Sequence, residues 1–254
     1  MFSADPVYAV VLLIIVVISS IATWRTSANF LSIIALSSSM AGFGYVAQEL
    51  WLNPLIDERW IQVLIRGLRM FAVYLLPVFL WFKLNPVEGK FSYNMGLNLP
   101  SEGKFAAVGL GLLLYMFALA TFILWPPESC GFRFWENNLH RCSTATKIDW
   151  IITLPLLCCM AMLTDLWTRG FVLIQATERW GEVSGIAMQN LFWLLLHLYE
   201  LEILAPSMSW PGAIILALIL GILGDLIVLK WRCVIGLMGG HALLNIGWVL
   251  YLIM

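Results

Sequence analysis

Apolar runs of about twenty residues constrain this chain more than any single side chain does. The stretch from Pro211 to Leu229 (PGAIILALILGILGDLIVL) holds one charged residue, Asp225. A hydrocarbon core of ~30 Å is crossed by about 20 residues of helix. Backbone groups in lipid must be bonded within their own segment, which selects helices over open strands. By that measure the sequence predicts an all-α polytopic membrane protein of about eight spans: Val7–Trp24, Phe30–Leu52, Trp60–Leu84, Phe105–Trp125, Ile148–Gln175, Gly185–Leu201, Pro211–Leu229 and Cys233–Ile253. Composition agrees. Hydrophobic residues make up 61% of the chain and charged residues 11%, where a soluble domain carries about 25%.

No Lys or Arg precedes the first apolar run. A cleaved leader normally has a basic start, so Val7–Trp24 reads as a retained span. The polar loop 85–104, rich in Gly, Asn and Pro, divides three N-terminal spans (1–84) from a five-span core (105–254). Counting cations in alternate loops puts Arg25, Lys83, Lys90, Lys104, Arg179, Lys230 and Arg232 on one side. Arg59, Arg133, Arg141 and Lys147 fall on the other. The richer side is expected to be cytoplasmic, which places both termini outside a plasma (inner) membrane. Cys130 and Cys142 then lie in an outer loop where a disulfide could persist, although spacing alone does not pair them. Many of the 13 tryptophans sit at span ends, as headgroup anchors do. The net charge is −1 and no basic patch is interleaved with aromatics. The expected partner is therefore the bilayer and not nucleic acid.

Against this apolar background, three polar pairs at i, i+4 spacing stand out: Asp165/Arg169, Trp193/His197 and His241/Asn245. Each pair shares a helical face. An ionisable residue inside a span costs roughly 2.5–3.5 kcal/mol on insertion scales, so it needs a partner, a wet cavity or a function. A structural reading is open for each: Asp165–Arg169 as a stabilising pair, His197 as a satisfied core histidine, His241 and Asn245 as interhelical hydrogen-bond glue. Gly239-Gly240 would let the eighth span approach the fifth and sixth closely. One cavity would then hold an acid, two imidazoles and an amide, the ingredients for hydrolysing an amide bond. Asp225 either snorkels to the basic interface or lines that cavity, and Arg66 and Arg69 would pair with Glu49 or a lipid phosphate. His140, Glu200 and Glu202 read as solvated residues. Cys158, Cys159 and Cys233 read as packing residues of apolar helix.

From Thr164 to Asn245 the chain resembles the CAAX-protease and bacteriocin-processing family (CPBP, also called Abi) of glutamic-type intramembrane endopeptidases. The family's Glu-Glu-x-x-x-Arg motif, often continued Arg-Gly-Phe, appears here as Thr164-Asp165-x-x-x-Arg169-Gly170-Phe171. Its aromatic-x-x-x-His motif is matched by Trp193 and His197, and its His-x-x-x-Asn/Asp motif by His241 and Asn245. The resemblance implies His197 as the water-orienting base, Asp165 and Arg169 as a supporting acid–base pair, and His241 with Asn245 as oxyanion stabilisers. The implied substrate is a prenylated, leader-type or membrane-anchored peptide. The departure is Thr164, which stands where the family has the glutamate that activates water. A threonine hydroxyl does not serve as a general base near neutral pH. Either Asp165 shifts role, or another acid such as Glu49 reaches in, or the protein is a pseudoprotease that keeps the cavity to bind a partner as a chaperone, immunity or assembly subunit. No cofactor is expected. Asp165, His197 and His241 could supply three zinc ligands, but no HExxH or CxxC spacing supports that option.

Overall fold

In the computed structural model the described residues are 14, 17, 30–48, 55–56, 59–84, 94–97, 102–124 and 147–253. Most of the predicted first span therefore lies outside them, as do Glu49, Cys130, His140 and Cys142. The chain divides into two compact units, 1–88 and 89–254. The described residues are helical and form no β-strand. Four helices among them are long and apolar enough to cross a membrane: Leu64–Leu84, Gly103–Leu124, Thr153–Trp180 and Trp210–Trp231. Shorter apolar helices run over Phe30–Gly44 and Ile235–Tyr251. Burial is inverted relative to a soluble protein. Phe71, Phe79, Leu113, Phe117, Ile215 and Leu226 are exposed, while Asp165, Arg169 and Asp225 are fully buried. Only a lipid-facing exterior makes that arrangement stable. The protein is an integral membrane protein.

The first unit pairs α1 (Phe30–Ala47) with α2 (Arg59–Leu84). The ring of Phe30 meets Trp81 edge-on, with centroids 5.9 Å apart. Arg69 donates from Nη1 to the carbonyl of Gly44 at 2.9 Å. A Cβ on Gly44 would sit 2.8 Å from Arg69 Cδ, so the glycine makes room for that side chain.

The second unit contains α3 (Glu102–Leu124) and a long polar-cored span. That span starts as α4 (Lys147–Asp165), widens into a π-helical segment (Leu166–Leu173) and closes as α5 (Ile174–Trp180). Gly181, at φ 84, turns the chain into α6 (Glu182–Leu196). The sixth predicted span, Gly185–Leu201, is not one helix. It breaks at His197 (φ −108, ψ 16), and α7 (Leu198–Met208) follows. After α7, Ser209 Oγ accepts the Gly212 N–H at 3.4 Å and starts α8 (Trp210–Trp231). The last helix is α9 (Ile235–Ile253).

Glycines set the tightest contact. A Cβ on Gly111 of α3 would lie 2.5 Å from the backbone carbon of Gly236 in α9. One on Gly240 would lie 2.8 Å from the Gly111 carbonyl oxygen. The last helix therefore closes on α3 through Gly236 and Gly240, and also packs on α4. The expected approach to the fifth and sixth spans through Gly239-Gly240 is only half right, because α3 is the glycine-matched partner. Residues 94–97 belong to this unit as well. Gly96 (φ 64) accepts the Val234 N–H at 2.9 Å, and Met95 is fully buried beside Gly170.

Candidate active site

The widened turn beginning at Leu166 carries Arg169 at its centre, and π-helical insertions of this kind concentrate at functional sites. Two threonines mark the transition. Thr164 Oγ1 donates to the Met160 carbonyl at 2.9 Å, and Thr168 Oγ1 donates to the Thr164 carbonyl at 2.8 Å. Such back-bonding keeps a hydroxyl against its own helix and bends the ladder. The Thr164 side chain is thus committed to the backbone.

Asp165 is fully buried and fully engaged. It is ion-paired with Arg169 one turn on. Tyr115 of α3 places its hydroxyl 3.0 Å from Oδ1 and 2.9 Å from Oδ2 and donates to this carboxylate. His241 of α9 lies with Nδ1 3.0 Å from Oδ2. Arg169 Nη1 also donates to the Tyr115 hydroxyl at 3.2 Å. These bonds assign the imidazole tautomer. The carboxylate only accepts, and the Tyr115 proton is spent on it, so the neutral ring of His241 carries its hydrogen on Nδ1. Nε2 is left with the lone pair.

A second carboxylate reaches the same arginine. Asp225 of α8 holds Oδ1 3.4 Å from Arg169 Nε, while Asn190 of α6 donates to Asp225 Oδ2 at 2.7 Å. Two glycines of α8 clear the space. A Cβ on Gly224 would lie 2.9 Å from Arg169 Nε, and one on Gly221 would overlap Asn190 Oδ1. One guanidinium thus sits between two carboxyl groups from different helices, an arrangement worth forming in low dielectric only when all three groups are held. Trp193 adds its ring, with Arg169 Cζ 5.6 Å from the centroid. Asp225 is therefore turned inward to Arg169 and Asn190 and does not snorkel to the interface.

His197 occupies the helix break above this cluster. Its Nδ1–H donates to the Trp193 carbonyl at 2.7 Å, which leaves the lone pair on Nε2 here too. Its ring stacks on Trp193 at 4.0 Å and faces His241 at 5.8 Å between centroids. Of the residues expected at the site, Asp165, Arg169 and His241 are in direct contact, and His197 joins them through Trp193 and across from His241. Asn245 is one turn along α9 from His241 and donates from Nδ2 to the Leu157 carbonyl at 3.3 Å. Among the described residues, no three His, Cys, Asp or Glu side chains are grouped to hold a metal ion.

Sequence reasoning missed Tyr115 and Asn190. Tyr115 is one hydroxyl amid apolar neighbours, and Asn190 sits beside Gln189 with no charged residue one turn away, so neither forms an acid–base or imidazole pair at helical spacing. The glycines of α8 were the available signal, since Gly221-x-x-Gly224-Asp225 clears one face of that helix beside its only acid.

Fold and site define a helical membrane protein with acid and imidazole groups enclosed among its spans. Residues 146–247 match the family model described as type II CAAX prenyl endopeptidase Rce1-like. The match covers less than half of the chain but takes in all three motifs, so the CPBP resemblance of this core stands. No curated protein and no solved structure matches the chain.

Proposed function

We propose that this protein is an intramembrane endopeptidase for membrane-associated peptides, and that the His241–Asp165 pair supplies the base that Thr164 cannot. The observation that carries this is the 3.0 Å contact from Asp165 Oδ2 to His241 Nδ1. A buried carboxylate on Nδ1 fixes the ring, favours the imidazolium once it forms and presents Nε2 as the proton acceptor, the logic of any acid–histidine pair. Water deprotonated by Nε2 attacks the peptide carbonyl, and the amine departs with a proton returned from an imidazole. His197, whose ring faces His241 at 5.8 Å between centroids, is placed to orient water or to relay that proton. Asn245 keeps a second amide hydrogen, beyond the one given to Leu157, for the oxyanion. Relative to the family pattern, His241 moves from oxyanion donor to base. The family description supports a prenylated peptide as substrate. The cation bias of the loops supports a site in the plasma membrane with both termini outside.

A second reading has its own observation. Thr164 is tied to Met160, and Asp165 is sealed from solvent by three partners, as in a pseudoprotease that retains the cavity for binding. The two are separated by reconstituting the full chain in liposomes and assaying prenylated and leader-type peptides. Cleavage by the wild type that His241→Ala abolishes supports the endopeptidase. Cleavage seen only with Thr164→Glu leaves the pseudoprotease.

A further inference from the structure

Tyr115 lies outside the family-matched segment, yet it touches every charged member of the central cluster except Asp225. We infer that Tyr115 is a positioning residue, whose hydroxyl holds the Asp165 carboxylate in the plane that keeps Oδ2 aimed at His241 Nδ1. The two oxygens are nearly equidistant from the hydroxyl, 3.0 and 2.9 Å, so the carboxylate presents both of its edges to it. Arg169 donates to the same hydroxyl at 3.2 Å and directs its proton to Asp165. The hydroxyl oxygen is 3.3 Å from His241 Nδ1, so that ring nitrogen faces two acceptor atoms and no donor. The Tyr115 ring also stacks flat on His241, with centroids 4.7 Å and planes 12° apart. The backbone is shaped for this stack. Gly111 lies one turn before Tyr115, and a Cβ on Gly240, beside His241, would come within 2.9 Å of Tyr115 Cδ2.

Remove the hydroxyl and Asp165 keeps only Arg169 and His241. The carboxylate then turns toward the guanidinium, its strongest partner. His241 Nδ1 loses the aligned acceptor, and the ring is free to exchange tautomers. Phenylalanine retains the stacking surface, so Tyr115→Phe isolates the hydroxyl from the packing.

The kinetic part of this inference rests on the proposed endopeptidase activity, and its spectroscopic part does not. The chain has 3 histidines, so imidazole ¹⁵N signals of labelled full-length protein in micelles are assignable with His140→Gln and His241→Gln. Wild type is expected to show His241 with hydrogen on Nδ1 and a lone pair on Nε2. Tyr115→Phe is expected to show averaged tautomers at His241 and an unchanged His197. In a cleaving enzyme, Tyr115→Phe is expected to lower kcat roughly 10- to 100-fold with KM unchanged, the scale of a hydrogen bond to a charged group. Should Tyr115→Phe not accumulate folded, Tyr115→Leu, which also removes the hydroxyl and adds no bulk, is expected to give the same averaging. A wild-type His241 with its hydrogen on Nε2, or His241 signals unmoved by the tested variant, overturns the inference. If the wild type cleaves nothing while the His241 signals behave as described, the endopeptidase reading fails and the positioning role stands.

Discussion

Arg169→Met removes the one cation that holds two buried carboxylates, at almost constant side-chain volume. Arg169 is 1% exposed and Asp165 and Asp225 are 0% exposed. The variant therefore leaves Asp165 and Asp225 uncompensated in the interior. Breaking one buried ion pair from one side costs about 3–5 kcal/mol. The lost Tyr115 hydrogen bond adds about 1 kcal/mol, and the lost contact with Trp193 up to about 2 kcal/mol. These contributions overlap, so the expected destabilisation is at least ~3 kcal/mol. SDS titration of the protein in mixed micelles, followed by tryptophan fluorescence, reads this as a shift of the unfolding curve. The cause is checked by adding Asp165→Asn and Asp225→Asn to the arginine variant. Removing the stranded charges should recover most of the loss, because an apolar or neutral replacement of a whole buried ion network is often nearly neutral. An Arg169→Met protein within ~1 kcal/mol of wild type, or a triple variant no better than the single one, would show that Arg169 does not hold these groups together.

Four further substitutions probe the frame of the site. Gly111→Ala places a Cβ 2.5 Å from the Gly236 backbone, which cannot yield, so α3 and α9 must part. A loss of about 1–3 kcal/mol or more is expected in the same titration. Gly109→Ala, with nothing within 4 Å of the new Cβ, should stay within about 1 kcal/mol of wild type. Asn190→Leu strips the donor from Asp225 Oδ2 and should cost about 1.5–3 kcal/mol, the scale for a hydrogen bond to a charged group. Thr164→Val removes only a back-bond to Met160. It should change stability by less than ~1 kcal/mol and leave any cleavage rate unaltered. A large drop in cleavage would mean that the hydroxyl takes part in the chemistry.

The sequence was most informative where a polar residue repeats at helical spacing inside an apolar run. Asp165 with Arg169, and Trp193 beneath His197, are pairs of that kind, and both are made. His241 reaching Asp165 follows from the motif order, not from the spacing. What stayed hidden depends on contacts between helices. Tyr115 adds one hydroxyl to an otherwise apolar face, and no periodicity singles it out. The break at His197 follows the apolar run Leu191–Leu196 with no Gly or Pro beside it to announce it. The π-helical turn has no signature beyond Thr164 and Thr168, whose back-bonds emerge only in three dimensions. Gly239-Gly240 correctly announced a close approach, but the partner was set by Gly111, a glycine in a different span.

The role of His241 as base is tested most directly by a single-turnover reaction in H₂¹⁸O, with reconstituted protein in excess over a prenylated peptide and products read by mass spectrometry. Cleavage by the wild type with one ¹⁸O atom in the new carboxylate, and no product from His241→Gln, is the expected result. Absence of product from the wild type, or equal product from His241→Gln, would contradict that role.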